Sequence, residues 1–107
     1  MLGQFEAWIL TAVARIGEHH AYGMTIHEEV EQLSGRPVVS LGAVYTALDR
    51  LEKKAMVSSK FGDATPERGG RPKRFYKIEA AGEIALKSTI DQAAAMASAL
   101  KLGRVPA

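Results

Sequence analysis

The sequence contains no cysteine. Its absence excludes disulfides and any thiolate site, and it suits a reducing compartment, so a cytoplasmic location is expected. No apolar run is long enough to cross a bilayer. The opening Met1-Leu2-Gly3-Gln4-Phe5-Glu6 has no basic start leading into an apolar run, so a signal peptide is not expected. No serine stands with an evident base partner, and no phosphate-binding glycine motif occurs, so neither an enzyme nor a cofactor is expected. His19, His20 and His27 are the three histidines. Two adjacent imidazoles and a third on another helix fit no familiar metal-ligand spacing.

What remains is 107 residues, 47% of them hydrophobic, which suits one domain with a modest core. A domain this small gains from an added dimer interface. The formal net charge is only +2, but it is unevenly spread. Between Arg50 and Lys77 there are nine basic and three acidic residues, a local excess of +6, so the remainder sums to −4. Such segregation reads as an electrostatic footprint on one face, or as a solvated hairpin with basic decoration.

Phe5, Trp8, Ile9, Ala12, Val13 and Ile16 recur at helical spacing and predict a first helix to about Glu18. A second helix presents Ile26, Val30 and Leu33; Thr25 and Glu28 fit a capping box, with a start nearer Tyr22 as the alternative. Gly35 and Pro37 end it, and Val38-Val39 suggests a short extended piece. Ser40 is a good N-cap for a third helix to about Lys54, with Val44, Leu48 and Leu51 inward and Ala47 and Ala55 beside them. Val57 to Phe61 and Phe75 to Ile78 read as paired strands around a projecting Gly/Pro/charge-rich loop. From about Ala80 to Lys101, Leu86, Ile90, Ala93, Ala97 and Leu100 follow the four-three spacing of a coiled-coil seam. The fold class is therefore mainly α with a small β-hairpin: a winged helix-turn-helix over 1–78, a C-terminal dimerisation helix over 79–102, and a tail over 103–107.

In this arrangement the third helix is the one that enters a major groove. Its first-turn N–H groups and dipole, capped by Ser40, favour a phosphate oxygen. Gly42 costs helix propensity there, which fits close approach to DNA or a tight helix contact. Tyr45 and Thr46 point away from the core residue Val44, so they are candidates for phosphates or base edges. A tyrosine also suits a core margin with only its hydroxyl wet. Arg50 and Lys53 lie further along and suit the DNA backbone. In the loop Arg68-Gly69-Gly70-Arg71-Pro72-Lys73-Arg74, arginine on a thin backbone suits a narrow minor groove; a solvated loop is the alternative.

Ala21-Tyr22-Gly23, the run from Ser40 to Glu52, Gly69 to Tyr76, and Ala80-Ala81-Gly82 together resemble the PadR-like transcriptional regulators, particularly their short subfamily. The resemblance implies a homodimer on double-stranded DNA, held by the last helix against the first helix and its partner. Phe5, Trp8, Leu86, Ile90, Ala93, Ala97 and Leu100 are the candidate dimerisation residues. It implies repression of nearby genes, relieved in some relatives by small molecules. It places Ser40, Gly42, Tyr45 and Thr46 in the recognition helix and Arg71, Lys73 and Arg74 in the wing. Two departures stand out. Glu79 replaces a frequent threonine, removing an N-cap but suiting the helix dipole. No aromatic residue lies between Glu79 and Ala107, so drug stacking on the last helix finds no support. Trp8 could line a pocket at the dimer centre, with a core or interface role as the alternative. The rival reading of the whole chain is a winged-helix protein-interaction module.

Overall fold

A computed structural model describes residues 2–37, 40–62 and 72–102. The elements run α1 (Gln4–Ile16), α2 (Gly23–Ser34), α3 (Leu41–Lys53), β1 (Val57–Phe61), β2 (Arg74–Ile78) and α4 (Ala80–Leu102). This is the mainly helical fold with one antiparallel hairpin that the periodicities predict. Val38-Val39 and the tail over 103–107 lie outside the described residues.

The helix boundaries follow from local chemistry. α1 stops at Ile16 rather than Glu18 because Gly17 turns to a φ of 89° and returns its N–H to Val13 O at 3.0 Å. Thr25 is not the cap of α2 but its third residue: its Oγ1 accepts the Tyr22 N–H at 3.0 Å and donates to His20 O at 2.7 Å. The alternative start at Tyr22 is therefore the one adopted. Gly35, left-handed at φ 67°, closes α2 by donating to Glu31 O at 3.0 Å. Ser40 caps α3 as expected, accepting from Ala43 N at 3.3 Å. Ala55, expected beside the buried stripe, is instead exposed with a φ of 59°, because the chain must reverse there to enter β1. Such a conformation costs a non-glycine residue roughly 1–2 kcal/mol.

Ile9, Leu10 and Val13 of α1 meet Ile26 and Val30 of α2 and Val44, Leu48 and Leu51 of α3 in one core. The hairpin register pairs Val57 with Ile78, Ser59 with Tyr76 and Phe61 with Arg74. Opposed residues share a face, so these six project to one side. Val57 and Tyr76 on that side are buried. Tyr76 N also donates to Ala21 O at 2.8 Å, tying β2 to the α1–α2 connection. A marginal two-stranded ribbon is thus held by the helices it covers.

α4 is anchored only at its start. Glu79 N donates to Met56 O at 2.9 Å, and the Ser58 hydroxyl donates to the Glu79 carboxylate. Glu79 thus fastens the helix to the hairpin as well as suiting the helix dipole. Gly82 is buried there, and a methyl group on it would overlap the Met56 carbonyl oxygen and sit 3.0 Å from Ile78 Cγ1. Backbone cannot swing aside as a side-chain tip can. Gly82→Ala is therefore expected to cost stability on balance, by about 2 kcal/mol, overpacking outweighing the gain in helix propensity. Urea unfolding at fixed protein concentration checks this: the midpoint should fall while the slope stays constant. Ala85 and Leu86 still touch the core, but residues 91–101 are all exposed. The protomer extends 66 Å along its longest axis.

Candidate nucleic-acid interface

α3 presents its outer face as the sequence predicts. Ser40, Gly42, Tyr45, Thr46, Arg50 and Lys53 are all exposed. Ser40 Oγ is spent on the cap, which leaves the remaining first-turn N–H groups pointing outward. At Gly42 a Cβ would meet, among the described residues outside its own helix backbone, only Ser40 Oγ, at 3.7 Å. No helix packs against it, so the tight-contact alternative does not hold and the bare backbone faces solvent. Thr46 Oγ1 donates to Gly42 O at 3.0 Å, which turns its methyl and an oxygen lone pair outward. Arg50 and Lys53 carry no ion pair among the described residues, whereas neighbouring Lys54 is 3.6 Å from Glu6.

Tyr45 is partly exposed and partly packed. It is 40% exposed, yet its phenol end lies against α2 at Gly23, where a methyl group would overlap Oη and Cζ. Only a glycine lets the ring settle there. Tyr45 then forms one wall of a groove of about 490 Å³ whose other walls are Tyr22, Met24, Phe61, Pro72, Lys73 and Arg74. α3 and the strand ends at the base of the hairpin therefore open onto a common side. Lys73 Nζ sits 4.3 Å above the Tyr22 ring, which itself meets Phe75 edge-on at 5.6 Å. These contacts hold the lysine over the groove.

Tyr22, Met24 and Phe61 are not among the DNA-contact candidates that the sequence suggests. Met24 and Phe61 are 49% and 66% exposed, and neither belongs to a periodic stripe that would have marked it. Arg74 differs from its wing neighbours. Its guanidinium is bound to Glu52 at 2.6 Å and to Ser59 Oγ at 2.9 Å, rather than reaching outward. Arg71 lies outside the described residues, as does the rest of the loop over 63–71.

Gly23→Ala follows as a local probe. The clash falls on the movable end of Tyr45, so the fold should survive with a change within about 1 kcal/mol. The displaced phenol should weaken DNA binding several-fold. A urea midpoint and a fluorescence-anisotropy titration read side by side check this separation.

Tyr76 is fully buried and its hydroxyl has no hydrogen-bond partner among the described residues. Burial raises its pKa, with Arg74 opposing and Asp49, Glu52 and Tyr45 adding to the rise, so the phenol stays neutral. Phe5 and Trp8 are half-buried and border a concavity of about 330 Å³ with Val30, Ser34, Arg36 and Pro37. On α4, Leu86 is half-buried, but Ile90 is 55% and Leu100 76% exposed, and Ala93 and Ala97 are exposed with them. The described residues hold no cluster of histidine, aspartate and glutamate able to bind a metal. No described helix is long and apolar enough to cross a membrane.

No curated protein matches the chain. Solved structures do match over nearly its whole length. A PadR family transcription regulator from Clostridium difficile superposes with a TM-score of 0.72 at 19% identity, covering 94% of this chain and 97% of its own. A PadR-like transcription factor from Bacteroides fragilis gives 0.75 at 22% identity, covering 92% and 88%. A PadR-like transcriptional regulator from Bacillus cereus gives 0.69 at 19% identity, covering 95% and 93%. At such identities these likenesses establish the fold. The sequence profile of the "Transcriptional regulator PadR-like family" matches residues 12–88, from within α1, across the outward face of α3 and the wing, to the anchored start of α4. With that match added to the winged-helix geometry, the chain belongs to the PadR-like family of transcriptional regulators, proteins that bind DNA and are not enzymes.

Proposed function

We propose that the protein is a homodimeric repressor that binds an inverted-repeat operator in double-stranded DNA within the cytoplasm. Residues 1–78 form its DNA-binding unit and 79–102 its dimerisation helix. The observation that carries this reading is the shared groove: Tyr45 of α3 and Lys73 of the wing root line one concavity on one side of the protomer.

The mechanism follows from that geometry. α3 enters the major groove, with Gly42 allowing close backbone approach and Tyr45 and Thr46 at base edges or phosphates. Arg50 and Lys53 meet the phosphate backbone. The strand of DNA between major and minor grooves then crosses the Tyr22–Tyr45–Phe61 groove. There Lys73 neutralises a phosphate, aromatic faces cover deoxyribose, and Arg71 follows into the minor groove. The two-fold axis places a second α3 about one helical turn, roughly 34–36 Å, away. Bound protein blocks polymerase access. A small-molecule inducer would act by favouring a dimer whose α3 spacing misfits the duplex.

Footprinting of the purified protein on the DNA upstream of its own coding sequence tests the reading. Two protected patches on one side of the duplex, about one turn apart, are expected. No protection at low salt would reject it in favour of a winged-helix protein-interaction module.

A further inference from the structure

Three polar side chains close a ring at the root of the wing. Glu52, in the last turn of α3, accepts from Arg74 Nη2 at 2.6 Å through Oε1 and from the Ser59 hydroxyl at 2.7 Å through Oε2. Arg74 Nε completes the ring by donating to Ser59 Oγ at 2.9 Å. Each member comes from a different element: α3, β1 and β2. The guanidinium is also within cation–π range of two rings, 5.8 Å from the Phe61 centroid and 5.5 Å from that of Tyr76. Arg74 is the first residue of β2, so it fixes the point from which the basic loop departs relative to α3.

We propose that Arg74 and Glu52 are positioning residues for DNA binding: they lock the wing at a set height beside the recognition helix, and Arg74 is not itself a phosphate contact. Planarity explains why arginine stands here. The fork presents Nε to one oxygen and Nη2 to another in a fixed geometry, which a lysine ammonium cannot reproduce. The inference rests on the DNA-binding reading above but makes a prediction of opposite sign to simple electrostatics. Removing the carboxylate of Glu52 takes an anion from a surface that meets a polyanion and frees a cation beside it. If charge alone decided, binding would tighten.

The test uses the full-length protein and the duplex defined by footprinting, with Glu52→Ala, Arg74→Ala, the double variant and Arg74→Lys. Each single variant, Arg74→Lys included, should bind DNA about tenfold more weakly, as expected for loss of charged hydrogen bonds that hold a surface in place. The double variant should bind no worse than either alanine variant, since one lock is broken once. Without DNA, amide hydrogen exchange in β1 should quicken in Glu52→Ala while the α1–α2 core amides keep their protection. Binding by Glu52→Ala equal to or tighter than wild type, full rescue by Arg74→Lys, or additive losses would overturn the proposal. If wild-type protein binds no duplex, the DNA reading falls and the positioning role with it. The exchange data then still decide whether the lock orders the hairpin, and unchanged β1 exchange would reject the lock on its own.

Discussion

Raising the salt concentration from 50 to 200 mM is expected to weaken operator binding by about 10³–10⁵-fold. The figure corresponds to a dimer that neutralises about 6–10 phosphates, hence about 3–5 in each half-site. The structure supplies that many cations and identifies which to leave out. Lys54 is engaged by Glu6 at 3.6 Å and Arg74 by Glu52 at 2.6 Å, so neither is free to displace counterions. Arg50 and Lys53 on α3 and Lys73 over the groove remain, and Arg71, outside the described residues, is the fourth candidate. Lys60 and Lys77, on the same face of the hairpin as Phe75, are exposed further along it. Among the described residues the basic side chains between Arg50 and Lys77 thus divide into paired and unpaired, and the unpaired ones are expected to set the slope of affinity against salt. The measurement is a series of anisotropy titrations at fixed pH. A flat series would mean that the basic surface does not meet DNA, and would favour a protein partner for the same winged-helix face.

Much of this architecture is legible in the chain because it is local. Ser40 followed by a buried stripe at Val44, Leu48 and Leu51 needs no distant information to start and orient a helix, and α3 begins where that logic places it. The strand at Val57–Phe61 is equally well bounded. What escaped is long-range. That Arg74 is bound to Glu52 depends on two residues 22 positions apart. Tyr45 rests on Gly23 by the same kind of distant meeting, and a glycine at the start of a helix gives no hint of the ring above it. Met24 and Phe61 are exposed apolar residues that periodicity assigns to no stripe, so only the folded groove brings them together. Ala55 was read from spacing as part of a stripe, but spacing carries no sign of a chain reversal. Glu79 was read through the helix dipole, whereas its carboxylate accepts from Ser58 across the hairpin.

Ile90→Asp is expected to split the dimer and, through it, to abolish tight operator binding. Ile90, Ala93, Ala97 and Leu100 lie on one side of α4 at three- and four-residue spacing, and none is covered by the protomer. An isolated helix gains little stability beyond its own hydrogen bonds, so an uncovered apolar side over the last three turns points to a second copy. Across the proposed two-fold axis one substitution acts twice, bringing two carboxylates into an alanine-rich seam. Burying such charges unpaired costs several kcal/mol, enough to move a dimer of ordinary affinity to monomer at micromolar concentration. Light scattering should show the mass halved. Because Ile90 is 55% exposed in the protomer, the α1–α3 core does not depend on it, and near-ultraviolet circular dichroism from half-buried Trp8 should persist in reduced or altered form rather than vanish. DNA affinity should drop by orders of magnitude, since the second half-site no longer binds intramolecularly. An unchanged mass would place the two-fold contact elsewhere, with the Phe5–Trp8 concavity as the next surface to alter.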